Sequence, residues 1–187
     1  MELKPNLLEH YGLTEAEIGM TMGSYSPQSI KSNDFSLKKG AISNHIGFVK
    51  KGMLRSFFYN DNADEITTNF YPSGSLIIAF DSFNNRVPSK EYIVAVEESE
   101  LMVISYERQK ELYEIIPVWQ QICKELADQI SQDMLTRTVQ FQTLSATERY
   151  QQFCNDNPEV VQKVPLRHIA TYLGINNATL SRIRSKK

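Results

Sequence analysis

The chain carries VPLRHIATYLGINNATLSRIRSKK at residues 164–187. Pro165 suits the first turn of a helix, where its missing amide proton costs nothing. Four apolar residues after it share one helical face: Leu166, Ile169, Ala170 and Leu173. Gly174 can take the positive φ that ends a helix, and Asn176 can cap a second helix anchored by Leu180. This spacing of small, turn and anchor residues predicts a helix-turn-helix, which is a DNA-binding unit.

The second of these helices has a polar face that we expect to enter the major groove of DNA. Four of its side chains project away from the apolar anchors and are predicted to meet base edges: Asn177, Ala178, Ser181 and Arg182. Arg182 is the expected reader of guanine, because a planar guanidinium matches the two acceptors of that base. Six residues are predicted to contact phosphates: Arg167, His168, Thr171, Thr179, Arg184 and Lys186.

The charge of the chain is divided unevenly along its length. Residues 162–187 contain no Asp or Glu and carry +6, although the formal net charge of the chain is −2. The preceding residues therefore carry −8, because 14 basic residues there face 22 acidic ones. Such a division is typical of a basic DNA-contacting module on an acidic body, since phosphate neutralisation supplies much of the affinity for DNA. A solvated basic tail without DNA affinity is the alternative.

The first hundred residues predict a small antiparallel β-structure. After a helical start with Thr14 and Glu17 as a capping box, short apolar or alternating runs are separated by turn residues. The runs are HIGFV, MLRSFFY, EITTNFY, SLIIAF, YIVAV and LMVIS. Their length and spacing suit a barrel or a roll.

A long helix is predicted between the β-region and the helix-turn-helix. Proline and glycine are absent from residues 118–156, and an apolar stripe recurs every three or four residues. The stripe is predicted to pair with a second copy of the chain through Trp119, Ile122, Leu126, Ile130, Met134 and Phe141. Burial against the chain's own body is the alternative. Ser145 and Glu148 then predict a capping box at the start of a further helix.

Composition excludes several classes of protein. The chain is 41% hydrophobic and 22% charged, which is typical of a globular protein. It has no apolar run long enough for a membrane span and no signal-like N-terminus. We therefore expect a cytoplasmic protein with no membrane partner. The two cysteines, Cys123 and Cys154, are too few for an iron–sulfur cluster and lack metal-site spacing. Three histidines give no clear haem pair. We expect no cofactor, no metal site and no catalytic residue.

The order of these parts resembles the Crp/Fnr family of bacterial transcription regulators. The resemblance covers roughly residues 25–187 and is most specific in ERY at 148–150, in NPEVVQKVPLRHIATYLGINNATLSRIR at 157–184, and in Gly40, Gly52 and Gly74. It implies an α+β fold with a cyclic-nucleotide-binding-like β-roll at residues 1–116, a dimerisation helix at 117–142 and a helix-turn-helix domain at 143–187. It also implies double-stranded DNA with a two-fold symmetric operator, a second copy of the chain and RNA polymerase as partners.

Two departures from that family are visible. Ala178 stands where the family often has Glu, so we expect a different half-site. Nucleotide-binding members have a Phe-Gly-Glu-Leu turn and, further along, an Arg followed by Ser or Thr. In this chain Ile78 and Ala79 lie near the positions of the Gly and the Glu. Ser89 or Lys90 lies near the position of the Arg. Cyclic AMP binding is therefore not expected, because a cyclic phosphate needs a backbone nest and an arginine.

The effector, if there is one, is not identified by the sequence. Six residues either line an effector pocket or fill the core of the roll: Phe58, Phe70, Phe80, Arg86, Lys90 and Tyr92. Two alternative functions remain, namely a ligand- or partner-binding roll without DNA affinity and a cupin-like barrel enzyme. The enzyme is disfavoured because such metal sites gather several histidines and the β-region has only His45.

Overall fold

A computed structural model describes residues 5–185 of the chain. Two short helices come first, α1 (Pro5–His10) and α2 (Glu15–Gly23). The capping box predicted at the start of α2 is present: the Thr14 amide donates to Glu17 at 2.8 Å and the Glu17 amide donates to Thr14 Oγ1 at 3.3 Å.

Eight strands follow and form a β-roll of two antiparallel four-stranded sheets. The strands are β1 (Ser26–Ile30), β2 (Phe35–Leu37), β3 (His45–Lys51), β4 (Met53–Tyr59), β5 (Glu65–Pro72), β6 (Leu76–Ile77), β7 (Tyr92–Ala95) and β8 (Ser99–Ser105). One sheet has the order β1-β8-β3-β6 and the other β2-β7-β4-β5. Inward-facing residues of both sheets form one apolar core, which includes Val49, Leu54 and Leu101. The predicted roll and α+β class are confirmed.

Three helices lie between the strands and the C-terminal region. Helix α3 (Phe80–Asn85) interrupts the roll between β6 and β7, and α4 (Tyr106–Ile115) follows β8. Helix α5 (Trp119–Thr143) has 25 residues and occupies the place of the predicted long helix. Its first turns pack against α4 and the roll through Trp119 and Ile122, each 1% exposed.

The C-terminal region consists of four short helices, α6 (Ala146–Asp156), α7 (Pro158–Lys163), α8 (Leu166–Tyr172) and α9 (Asn177–Ser185). Ser145 and Glu148 form the capping box expected at the start of α6. The core of this region includes Tyr150, Ile169 and Leu180. Two side chains of the roll, Met53 and Phe70, belong to the same core, so the roll and the C-terminal helices are in direct contact.

Candidate nucleic-acid interface

Helices α8 and α9 form the predicted helix-turn-helix. Gly174 has φ +65°, and the Ile175 amide donates to the Ala170 carbonyl at 3.0 Å, which is the bond pattern of a glycine-terminated helix. Asn176 Oδ1 accepts from the Thr179 amide at 2.8 Å and caps α9. The turn is therefore made by the residues that the sequence indicated.

The outer face of α9 is open to solvent. All four residues predicted to read bases are exposed: Asn177, Ala178, Ser181 and Arg182. Arg182 lies back along its own helix, with Nε 3.4 Å from the Ala178 carbonyl and Nη2 3.3 Å from Thr179 Oγ1. Leu180 is fully buried and Ile183 partly so, which fixes the polar face outward.

The residues predicted to contact phosphates divide into two groups. Arg167 and Arg184 are exposed and Thr179 is partly exposed, whereas Lys186 lies outside the described residues. His168 and Thr171 pack on β5 of the roll. Thr171 Oγ1 lies 3.1 Å from Thr67 Oγ1 and accepts from the Thr67 amide at 3.2 Å. The phosphate contacts predicted for these two residues stay a prediction, while in this structure their polar atoms face the chain's own β-strand.

His168 is 9% exposed and lies among charged groups. Its Nδ1 is 3.8 Å from a carboxylate oxygen of Glu65, which also bonds the buried Arg55. Burial, with the nearby positive charges of Arg55 and Arg167, lowers the pKa of His168 to about 4, although Glu65 acts in the opposite direction. The imidazole is therefore neutral at pH 7 in this arrangement.

Arg137 of α5 connects the long helix to both sides of this contact. Its guanidinium donates to the Thr68 carbonyl of β5 at 2.5 Å and to the Tyr172 carbonyl of α8 at 2.8 Å, and it stacks 3.8 Å from the Tyr172 ring centroid. Lys163 adds an ion pair to Glu97 at 2.6 Å. We call the packing of α8 on β5, with Arg137, the docking contact. The sequence did not predict this contact, because Arg137 is 69 residues from Thr68 and 35 residues from Tyr172.

The apolar stripe predicted for dimerisation is buried at its N-terminal end and exposed toward its C-terminal end. Trp119 and Ile122 are buried in their own chain, and Phe141 packs against Gly174, where an added Cβ would lie 2.7 Å from its ring. Leu126 and Ile130 are partly buried beside the roll. Trp119 and Ile122 thus lie in the core of their own chain, and the pairing of the stripe with a second copy stays a prediction. The exposed apolar residues of the second half of α5 are Met134, Leu135, Val139 and Phe141, at 67%, 65%, 47% and 38% exposure.

The six residues proposed for an effector pocket are not brought together. Phe58 and Lys90 line a cavity of about 470 Å³ at the mouth of the roll, which we call the roll cavity. Phe70 is buried against Phe153 and Tyr172, and Tyr92 stacks on Phe57 at 5.1 Å between ring centroids.

The remaining two are also placed elsewhere. Phe80 lies 46% exposed beside α5. Arg86 is committed to the Ser43 carbonyl at 2.6 Å, to Asn44 Oδ1 at 2.5 Å and to the face of Tyr106. The six residues therefore do not line one common cavity in this structure.

The roll cavity lies beside Ala79, near the position that the resemblance to the Crp/Fnr family gives to the phosphate-binding turn. Glu91 lines it, accepts from Thr68 Oγ1 at 3.0 Å and has its pKa raised by burial. Ala79 is almost fully buried and Arg86 is engaged elsewhere. The described lining of the roll cavity contains the carboxyl groups of Asp81 and Glu91, the amino groups of Lys39 and Lys90, and no arginine.

The described residues include no group of three His, Cys, Asp or Glu side chains that could hold a metal ion. No described helix combines the length and apolarity needed to cross a membrane. Both cysteines are unpaired thiols.

A β-roll, a long helix and a helix-turn-helix, in this order, make up the fold of the Crp/Fnr transcription regulators. Residues 27–115 match the model of the cyclic nucleotide-binding domain family. The resemblance drawn from the sequence is confirmed at this level.

Solved structures share the fold at low sequence identity. FixK2 from Bradyrhizobium japonicum is 13% identical, with a TM-score of 0.77 over 87% of this chain and 83% of that one. A crp/fnr family protein from Eubacterium rectale is 18% identical, with a TM-score of 0.75 over 98% and 86%. CooA from Carboxydothermus hydrogenoformans is 16% identical, with a TM-score of 0.70 over 100% and 85%. No curated protein matches the chain by sequence.

Proposed function

We propose that the chain is a sequence-specific DNA-binding transcription regulator that acts as a homodimer and is not an enzyme. The observation that carries this proposal is the exposed polar face of α9, with Arg182 and Arg184 beside it. Residues 162–187 contain no carboxylate that would repel phosphates. The fold shared with regulators such as the catabolite activator protein of Thermus thermophilus supports the same function.

Direct base reading is assigned to Asn177, Ser181 and Arg182, with Ala178 offering only a methyl contact. Arg167, Thr179, Arg184 and Lys186 are proposed to bind phosphates and to set the register on the duplex. Two recognition helices in a dimer would meet half-sites about 34 Å apart on a two-fold symmetric operator. RNA polymerase is the further partner that such a regulator would engage from the DNA-bound state.

The docking contact gives the roll a route to α9. Helix α8 packs on β5, and α9 packs on α8 through Leu180, so a displacement of β5 would shift the recognition helix. The roll is proposed to set the separation of the two recognition helices through this contact and through α5. We propose that cyclic AMP is not the signal, because Glu91 occupies the roll cavity and Arg86 is engaged elsewhere.

A matched pair of arginine variants tests the assignment of α9. Preferred duplexes are first selected from a random pool, and their affinity is compared with that of mixed DNA by fluorescence anisotropy at several salt concentrations. Arg182→Ala should lose about 1–3 kcal/mol of discrimination between preferred and mixed DNA, which is the value of a good bidentate base contact. Arg184→Ala should weaken both affinities alike and lower the salt dependence by about one counterion.

Two results would contradict this function. Binding that does not change with salt would exclude phosphate contacts and favour a ligand- or partner-binding roll. Unchanged discrimination by Arg182→Ala would remove Arg182 from the base-reading face.

A further inference from the structure

The motif ERY at residues 148–150 places three side chains in three different environments. Glu148 closes the capping box of α6, and Tyr150 lies in the core of the C-terminal helices. Arg149 is partly buried where the end of α5 meets the end of α8. Its contacts therefore bear on how the helix-turn-helix is held against the long helix.

The Arg149 guanidinium donates to terminal carbonyl groups of two helices. Its Nη1 donates to the Leu144 carbonyl at 2.8 Å, and its Nε donates to the Leu173 carbonyl at 3.2 Å. Leu144 and Leu173 are the C-cap residues of α5 and α8. Carbonyl groups at a helix C-terminus lack a partner within the helix and carry a partial negative charge, so a cationic donor stabilises both ends. One side chain thus joins the ends of two helices.

An aromatic ring of α5 packs at the same place. The centroid of the Phe141 ring lies 5.0 Å from the Arg149 guanidinium. A Cβ atom at Gly174, in the turn between α8 and α9, would lie 2.7 Å from this ring. The last turn of α5 is therefore in contact with the turn of the helix-turn-helix. We call Phe141, Arg149, Leu173 and Gly174 the helix junction.

The helix junction connects the long helix to the recognition helix α9 without following the chain. Along the chain, α6, α7, α8 and their loops separate α5 from α9. Phe141 and Arg149 instead hold the end of α8 on the end of α5, and α9 packs on α8 through Leu180. Arg137 bonds the neighbouring Tyr172 carbonyl at 2.8 Å but also bonds the roll, whereas both bonds of Arg149 go to helix ends. The direction of α9 relative to α5 therefore depends on Arg149.

We propose that Arg149 is a positioning residue that determines which separation of two half-sites the dimer accepts. This inference rests on the proposed function, in which α5 pairs two copies of the chain and each copy of α9 reads one half-site. One added base pair moves the half-sites apart by about 3.4 Å and rotates one against the other by about 35°. Recognition helices that are held firmly on α5 cannot follow this change, whereas a loosened junction permits it.

Duplexes that carry two copies of the selected half-site, with a spacer that varies in steps of one base pair, test this proposal. The affinity of the full chain for each duplex, and for a duplex with one half-site, is measured by fluorescence anisotropy. We expect the wild type to bind one spacer about tenfold more tightly than its neighbours.

Arg149→Met retains the apolar stem and removes both hydrogen bonds. It should reduce the preference for one spacer to about twofold, while its affinity for the single half-site stays within about twofold of the wild type, because α9 itself is unchanged. Arg149→Lys retains the charge and serves as a milder variant. It should also broaden the spacer preference, because an ammonium group lacks the fixed fork of donors that holds both carbonyls.

Arg108→Met is the matched control. Arg108 Nε donates to Ser24 Oγ at 2.9 Å in the N-terminal part of the fold, away from the helix junction. This variant should keep the spacer preference of the wild type. A broadened preference in Arg108→Met as well would overturn the proposal, because the effect would not be specific to the junction.

Three further results would overturn the proposal. One is an unchanged spacer preference in both Arg149 variants. Another is an equal loss of affinity for all duplexes, including the single half-site, which would show that Arg149 only stabilises the helix-turn-helix. The third is a wild type that selects its half-site but accepts every spacer equally, which would leave the proposed DNA binding intact. A wild type that binds no duplex in preference to mixed DNA would instead contradict the proposed function, and this inference with it.

Discussion

At the scale of single residues, His168 illustrates how tertiary contact changes the role of a polar side chain. A histidine near a helix-turn-helix is a reasonable candidate for a phosphate contact, but here the imidazole is buried beside Arg55 and Glu65. Its pKa, lowered to about 4, lies below the ordinary value of 6.5. The docked form therefore binds fewer protons than an undocked or unfolded form between these pH values.

The sign of the resulting pH effect follows from linkage. Protonation favours the unfolded form, because His168 has the higher pKa there. The contribution of His168 to the free energy of unfolding is therefore fully present above about pH 6.5 and is lost as the pH falls toward 4. We expect the free energy of unfolding of the wild type to fall between pH 7 and pH 5.5 by roughly 1 kcal/mol more than that of His168→Gln. Thermal and urea unfolding at both pH values would measure this.

The comparison cancels the titration of other groups, such as Glu91, that are present in both proteins. Equal losses of stability in the wild type and in His168→Gln would show that His168 is not the titrating group.

Gly174 offers a second test at this scale. Alanine there would need φ +65° and would place its Cβ 2.7 Å from the Phe141 ring. Gly40 has φ +88° with open space around it, so Gly40→Ala isolates the cost of the backbone conformation alone. We expect Gly174→Ala to destabilise the chain by about 1–2 kcal/mol and Gly40→Ala by about 1 kcal/mol. Equal effects in urea unfolding would mean that Phe141 moves aside freely.

Residue-scale features were predictable where the interaction is local in sequence. The Thr14–Glu17 and Ser145–Glu148 boxes, the Asn176 cap and the Gly174 turn each join residues at most five apart. Arg137 and His168 could not be assigned in this way, because each has a partner in β5, Thr68 for Arg137 and Glu65 for His168, that is distant in sequence. Periodicity describes which face of a helix is apolar, but not which surface will cover it.

At the scale of elements, the docking contact joins three segments that the sequence treats separately. Arg137 is partly buried, and burial lowers its pKa, so its charge is held by carbonyl oxygens and the Tyr172 ring rather than by a carboxylate. Removing the guanidinium would leave the carbonyls of Thr68 and Tyr172 without this donor.

Arg137→Met retains the apolar stem and removes the hydrogen bonds. We expect faster hydrogen exchange in β5 and α8, with the Thr67 amide about tenfold less protected, and little change in β8. Arg108→Met is the matched control, since Arg108 bonds Ser24 and Glu111 away from the helix-turn-helix. Exchange by mass spectrometry that is unchanged in β5 for Arg137→Met would show that this residue does not hold the contact.

Two strands were missed by sequence reasoning, and both have a physical explanation. β1 contains Pro27 and polar residues and pairs only with β8, and β2 has three residues. Edge strands of this kind lack the continuous apolar run that marks a central strand. The long helix was predicted because its periodicity is strong, but only the N-terminal part of its apolar stripe, including Trp119 and Ile122, packs against the chain's own roll.

At the scale of the whole molecule, the exposed side of α5 is where we expect self-association. Leu135 and Val139 are four residues apart, so they lie on one helical face, opposite the face that buries Trp119 and Ile122. We expect the wild type to be a dimer and Leu135→Glu/Val139→Glu to be a monomer at micromolar concentration, measured by light scattering.

Thr147→Glu/Gln151→Glu adds the same two charges to an exposed face of α6 and should leave the dimer intact. A monomeric wild type, or dissociation by both double variants, would contradict the assignment of the interface.

Met53 and Phe70 belong to the roll and also to the core of the C-terminal helices. This shared core limits how the two parts of the chain can be separated or joined to parts of other proteins. A fragment that contains only the helix-turn-helix would expose an apolar surface around Phe153 and Tyr172 that β5 normally covers. The C-terminal helices therefore cannot be transferred to another protein as an independent domain unless β5, which covers this surface, is transferred with them.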